Sequence, residues 1–327
     1  MGIFDRWSQY QEKKRREAQQ EAAMADWIER MVEESDPSIR KVEGYRRQLR
    51  TPVENALGYL ETLVAGIPGP FRLSVERWDS DPLMHALFVK PDDIQSLLQG
   101  CADLKSFFRA SGAANAVALL TANKVERTVF GTALDGEILR RDVAQRVVEF
   151  YDHRVVAPVA TREESRRELI HRALYVLATY ALEEVIQAQA LREELTAQRN
   201  SAAFKIRIHQ TRERGMGYLL GGGGESGADE REWHQLLAEI DRELATLGPG
   251  EGTPRDLLRK LESVLAGADG VLTEKTLEMR LNWMGVKQGE GATENGQAIT
   301  MKELEIPDRA KRVAVLATVS AAECLGA

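Results

Sequence analysis

A chain of 327 residues, 43% hydrophobic and 29% charged, is long enough for two domains and apolar enough for a sizeable core. Its net charge of −7 argues against a dedicated nucleic-acid binder, although a local basic patch can override the overall balance. Two cysteines, Cys101 and Cys324, give neither a disulfide framework nor metal-ligand spacing, which fits a reducing compartment.

Residues 2–35 read as a charged helix. Ile3, Phe4, Trp7 and Tyr10 cluster at its tip, directly before Lys13–Arg16. An aromatic wedge beside a basic cluster suits a membrane-surface anchor, or aromatics docked on the protein's own core or on a partner beside a solvated basic run. The basic run is not followed by the apolar core of a signal peptide. No stretch approaches the roughly 18 apolar residues of a membrane span. The expected location is the cytoplasm, with at most peripheral membrane contact.

A second helix is expected over Ser38–Arg50. A third should start at Thr51-Pro52-Val53-Glu54, a cap, a first-turn proline and an acid at the third helical position. It ends before Gly66-Ile67-Pro68-Gly69-Pro70, a rigid connector. Phe71–Trp78 alternates like a strand. Asp81-Pro82 and Lys90-Pro91-Asp92-Asp93 each open a helix, the second running to about Ala110.

Residues 114–157 predict a small antiparallel sheet. The reading places a tight turn at Asn123-Lys124 and a hairpin at Asp135-Gly136, where a type I′ turn needs positive φ. Asp152-His153-Arg154, between two strands, is the polar cluster in this region best suited to acid–base work. Turn chemistry and a salt link explain it equally well.

Thr161 to about Gln210 reads as one long helix, the spine of the molecule. Thr161 and Glu164 form a capping box, and the acids of the first turn suit the helix dipole. Ile170, Leu174, Leu177, Ala181, Val185, Ala188, Leu191 and Leu195 step by three or four and form one apolar stripe. Tyr175, Ala178, Leu182 and Ile186 widen it, which predicts burial on more than one side. Some 50 residues span roughly 75 Å at about 1.5 Å each, so a bend, a projection or a break near Asn200-Ser201 is expected. The far end is basic. Arg199, Lys205, Arg207, Arg212 and Arg214 outweigh Glu213 and form a candidate surface for nucleic acid or anionic lipid. Within it, Phe204–Ile208 alternates enough to suit a short strand.

Gly221–Gly224 make a flexible joint. Residues 228–285 then read as all-helical, from Asp229 to Leu247, from Thr253-Pro254 and from Thr273 to Gly285. The first of these is acidic and is expected to pack on the basic segment across the glycines. Ala298–Ile306 and Lys311–Val319 read as a hairpin returning to the sheet of 116–151, with Val313–Ala317 as a central strand. The organisation this gives is a set of N-terminal charged helices (1–70), an α+β core (71–160), the spine (161–214), a linker (215–228), a helical insertion (229–285) and the returning hairpin (298–327). The fold class is α+β and predominantly helical, a small antiparallel sheet packed with helices and one very long central helix.

Catalytic motifs are scarce. The chain lacks a phosphate-binding GxxxxGK[ST] loop, an HExxH and paired CxxC. The glycine run follows no strand and lacks dinucleotide-loop spacing. Glu168 and His171 make a single ExxH, whereas di-iron bundles use two with further glutamates. No cofactor, metal or catalytic residue is assigned. The leading expectation is a non-enzymatic interaction or scaffold protein whose long helix serves self-association or a protein partner. The alternatives are a nucleic-acid- or membrane-surface regulator using residues 199–214 or the N-terminal tip, and an enzyme with a site near His153.

Overall fold

The computed structural model describes residues 3–135, 138–212, 226–247, 252–288 and 296–326. The fold is α+β and predominantly helical, with an antiparallel sheet and one very long helix. The elements are α1 (Ile3–Ser35), α2 (Tyr45–Ala65), β1 (Phe71–Arg72), α3 (Pro82–Leu87), α4 (Pro91–Gly100), α5 (Ala102–Ser111), β2 (Asn115–Asp135), β3 (Ile138–Val159) and α6 (Arg162–Arg212). Then come α7 (Ser226–Thr246), α8 (Pro254–Ala266), α9 (Ala268–Val271), β4 (Thr273–Leu281), β5 (Gln297–Ile306), β6 (Ala310–Ser320) and α10 (Ala321–Leu325). The chain divides into two compact units. One comprises Met1–Glu54 and Tyr175–Ala266, the other Asn55–Leu174 and Gly267–Ala327.

The second unit is built on the sheet, in the order β3-β2-β6-β5-β4, with β1 parallel to β6. β6 is the central strand expected from its continuous apolar run. Val313–Leu316 are buried, and the strand pairs with β2 over 313–320 and with β5 over 310–314. Beyond β5, the two residues of β1 take the place beside Ala317 and Thr318. The sheet curls back on itself after β4. Gln288 N–H donates to Arg280 (2.8 Å), while Lys287 N–H donates to Arg146 (2.8 Å) and Val148 N–H to Gly285 (2.9 Å). The segment 285–288 thereby bonds to β4 on one side and to β3 on the other.

Alternation decides which side chains face the core. Ala116, Ala118, Leu120 and Ala122 of β2 meet Val313, Val315, Ala317 and Val319 of β6 on one face. There they join Leu83, Met84 and Leu87 of α3, Ile94 and Leu98 of α4, Leu104 and Phe108 of α5, and Cys324 of α10 in a single cluster. Val117, Leu119, Ala314 and Leu316 are buried on the opposite face. The connector before β1 is held at its end. Leu316 N–H donates to the Pro68 carbonyl (2.8 Å), and a Cβ at Gly69, whose φ is +112°, would collide with the Leu316 carbonyl.

Several predicted elements differ. Phe71–Trp78 is a strand only over Phe71–Arg72, then a 3-10 turn at Val75–Arg77, and the alternation breaks between them because Leu73 and Ser74 are both fully buried. The helix expected from Lys90 to Ala110 is two helices meeting at Cys101, which is extended at φ −78° and ψ 106°. The separate helices before and after Thr51 are one. α2 runs through Pro52, which loses the bond to the Gln48 carbonyl and crowds it with its ring, because Leu49, Val53, Ala56 and Leu60 form one buried stripe that outweighs this cost.

Asn123-Lys124 is not a turn. β2 continues past it, with an irregularity in the ladder between Thr121 and Asn123. The expected reversal at Asp135-Gly136 abuts the Asp135↔Ile138 pair, and residues 136–137 lie outside the described residues. The helix expected from Thr273 is β4. Its Glu, Lys, Met and Arg are good helix formers, but Leu277, Met279 and Leu281 recur at a period of two and pack in the sheet's core.

Candidate functional site

α6 starts as its sequence dictates. Thr161 Oγ1 accepts from the Glu164 N–H (3.2 Å), and Glu164 Oε2 accepts from the Thr161 and Ala160 N–H groups (both 3.1 Å). From there it runs 51 residues without interruption. The break expected at Asn200-Ser201 is absent, and Phe204–Ile208 is helical rather than a strand. A sequence free of proline and glycine over this span offers no point at which the hydrogen-bond ladder fails.

Within the first unit, one side of α6 is covered. Leu177, Ala178, Ala181, Leu195, Ala202 and Ile206 are buried. On the same side, Glu184 pairs with Lys260 of α8 (3.3 Å), Arg199 with Asp241 of α7 (2.6 Å), and the His209 ring meets the Trp233 ring edge-on at 5.8 Å. The acidic α7 therefore does contact the basic end of α6. A cavity of about 420 Å³ lies along this seam, lined by Val185, Gln189 and Arg192 of α6 and by Asp256, Arg259 and Lys260 of α8.

The other side of α6 is open and apolar. Tyr175 is 47% exposed, Ile186 53%, Phe204 63% and Ile208 42%. Eleven residues separate Tyr175 from Ile186 and eighteen separate Ile186 from Phe204. These are about three and about five turns at 3.6 residues each, so the three share one face, roughly opposite Leu177, Leu195 and Ile206. The expectation that Tyr175 and Ile186 widen the buried stripe is therefore corrected. Of the predicted stripe itself, Leu174, Leu177, Ala181 and Leu195 are buried, whereas Leu191 is 45% exposed.

The other sequence candidates are placed as follows. Lys205 and Arg207 are exposed and Arg199 is engaged by Asp241. At 3.6 residues per turn these three point in three different directions around the helix. The side chain of Arg212, all of Arg214 and the side chains of Ile3, Phe4, Trp7 and Tyr10 lie outside the described residues. Glu168 accepts from Arg172 (2.7 Å) one turn on. Among the described residues no group of His, Cys, Asp and Glu could hold a metal, and no helix is long and apolar enough to cross a membrane.

Asp152-His153-Arg154 sits inside β3, at the level of the irregularity in β2. Arg312 of β6 reaches across the sheet to it. Its guanidinium donates to Thr121 Oγ1 (3.2 Å), Asn123 Oδ1 (3.1 Å), Asp152 Oδ2 (2.7 Å) and the Asp152 carbonyl. Arg154 donates to the same carboxylate (3.0 Å). Hydrogen bonds from Arg312 and then Arg154 hold the Asp152 carboxyl below its usual range. His153 stacks on Phe88 with centroids 4.4 Å apart, and its Nε2 is buried with no partner among the described residues. Burial lowers its pKa, against a hydrogen bond to the Leu87 backbone that raises it.

A groove of about 760 Å³ opens along β3 beside this cluster. Trp78, His85 and Val89 form one wall and Asn282–Gly285 the other, with Arg127, Glu149 and Tyr151 on the sheet. The Asn282 side chain fixes the second wall by accepting from the Met284 and Val286 N–H groups (3.0 and 2.9 Å), and Trp283 stands 77% exposed upon it. Sequence reasoning missed this groove because its walls come from segments far apart in the chain. It missed the open face of α6 because periodicity reports that apolar residues share a face, not whether that face is covered. No protein family, curated protein or solved structure matches this chain.

Proposed function

We propose that this chain is a non-enzymatic interaction protein whose long helix presents a protein-docking face. The observation that carries it is the open side of α6. Four large apolar side chains, Tyr175, Ile186, Phe204 and Ile208, recur at helical spacing while α7 and α8 hold the opposite side. Their alignment along one helix face, rather than their contiguity, supports a docking site, since large exposed apolar side chains that share a face can be covered together by one partner. The test is a double substitution, Ile186→Glu with Phe204→Glu. Both sites are exposed, so the thermal midpoint stays within about 2 °C of that of the dilute parent. The parent forms a complex, with itself or with a protein retained from host extract, that the variant loses. A parent that stays strictly monomeric and retains nothing would sink the reading.

A second reading rests on the ion pair between Arg199 and Asp241, in which α7 occupies part of the basic segment. Release of α7 would free residues 199–214 for nucleic acid or anionic lipid. It predicts binding that weakens steeply with salt and is abolished by neutralising Arg207, Arg212 and Arg214 together. Unchanged binding in that triple variant would exclude it.

A further inference from the structure

The open face of α6 carries more information than its apolarity. Its residues in order are Tyr175, Thr179, Leu182, Ile186, Ala190, Glu193, Ala197, Asn200, Phe204 and Ile208, all exposed except Thr179 and Leu182, which are half-buried. The steps are three or four and average about 3.67, the spacing of an 11-residue repeat. That spacing keeps a face in line along a nearly straight helix without a left-handed supercoil. Larger and smaller side chains also complement each other along it. Reversing the face about a point between Leu191 and Arg192 sets Phe204 against Thr179 and Ile186 against Ala197, large against small, and Tyr175 against Ile208 at the two ends, while Leu182 and Asn200 fall level with Ser201 and Glu183 beside the face.

We infer that the occupant of this face is a second copy of the chain, its α6 antiparallel to the first and centred between Leu191 and Arg192. This rests on the docking-face reading above and names its partner. Packing selects the orientation. In a parallel pair each residue meets itself, so two Phe204 rings compete for one space while Ala190 and Ala197 face their own counterparts across voids. The antiparallel register instead sets the ring of Phe204 over the shorter Thr179 and fills the space above Ala197 with Ile186, as close packing requires. The Thr179 methyl is the part of that side chain suited to the ring, and its hydroxyl can bond to a carbonyl one turn back in its own helix. Both chains then make the same contacts, the condition for a closed two-fold dimer.

Size sets the affinity. From Tyr175 to Ile208 the face is about 50 Å long at 1.5 Å per residue. With a helix roughly 10 Å wide it covers roughly 500 Å² on each chain, so the pair buries roughly 1,000 Å². That is the small end of specific interfaces and gives a dissociation constant on the order of micromolar. Glu193 lies close to the axis and faces Ala190 of the second copy, so the two Glu193 carboxylates approach one another. The dimer therefore tightens as salt rises, and Glu193→Leu tightens it about tenfold.

The test uses the full chain with Cys101→Ser and Cys324→Ala, so that introduced thiols are the only ones. One protein carries Ile186→Cys, a second carries Ala197→Cys, and each is oxidised alone and mixed, at 100 µM. Sedimentation of both is recorded in parallel. The antiparallel register gives a disulfide-linked dimer in the mixture at least tenfold above either protein alone, because identical positions lie roughly 16 Å apart along the axis. Linking of Ile186→Cys to itself overturns the orientation. Dimers by sedimentation with no link in the mixture overturn the register and leave the docking face standing. Monomers throughout overturn the second copy as the occupant of this face, and the docking-face reading then stands or falls on the Ile186→Glu, Phe204→Glu comparison above.

Discussion

At the scale of residues, the polar groups with the strongest local constraints fix strands to one another. Arg312 ties β6, β2 and β3 together through Thr121, Asn123 and Asp152. Asp152 itself takes a left-handed backbone, φ +51°, which Asn adopts as readily as Asp. Because Arg312 and Arg154 lower its pKa in the folded state, its contribution to stability is present above the ordinary carboxylate range and is lost as pH falls below that range, through the lowered folded value. Asp152→Asn should lower the melting temperature at pH 7, and the gap to the parent should close towards pH 3. A constant gap would mean that the carboxylate charge is not what Arg312 needs. His153 works the same way with a different group. Burial lowers its folded pKa, so the neutral ring stabilises the fold above about pH 6.5, and that stability declines as pH falls below it. His153→Phe keeps a ring on Phe88 and cannot titrate. Its melting temperature should fall less steeply than the parent's between pH 7 and pH 5, read by circular dichroism.

At the scale of elements, signals written into contiguous residues were the legible ones. The capping box of α6 could be read in full, because Thr161 and Glu164 act on amides within a turn of themselves. Removing the Thr161 hydroxyl leaves the Glu164 N–H without its acceptor. Thr161→Ala should cost about 1 kcal/mol and Thr161→Ser almost nothing, measured by urea unfolding. A loss as large for Ser as for Ala would mean that the threonine methyl, not the cap, is what matters. The pairing of β6 with β2 was legible for a similar reason, since an unbroken apolar run such as Val313–Ala317 suits only a strand flanked on both sides. What could not be read depended on distant neighbours. β1 stops after two residues, where Leu73 and Ser74 both turn inward ahead of the 3-10 turn at Val75–Arg77. α2 continues through Pro52 because a buried stripe outweighs one missing hydrogen bond. β4 is a strand because β5 offers it an edge, against the helix preference of its own side chains. The candidate site divides the same way. Tyr175 and Ile186 were visible as apolar positions, but their exposure is set by where α7 and α8 pack.

At the scale of the whole molecule, these features combine in how stability depends on concentration. A chain whose α6 pairs with a second copy only when folded gains stability by mass action, since the unfolded chain has no such face to offer. With a dissociation constant on the order of micromolar, raising the protein from about one to about a hundred times that value adds roughly 2 kcal/mol by the same linkage, and the thermal midpoint should climb by a few degrees for a chain of this size. The Ile186→Glu, Phe204→Glu variant keeps its buried side of α6, including Leu177, Leu195 and Ile206, and its ion pairs to α7 and α8. Its midpoint should match the dilute parent and stay flat with concentration. Differential scanning calorimetry at several concentrations separates the outcomes. A rising parent beside a flat variant places the stabilising contact on the open face of α6. A rise in both would move it elsewhere on the surface, with the groove walled by Trp78 and Trp283 as the next place to substitute. Two flat curves would mean that no second copy covers the helix and would overturn the dimer.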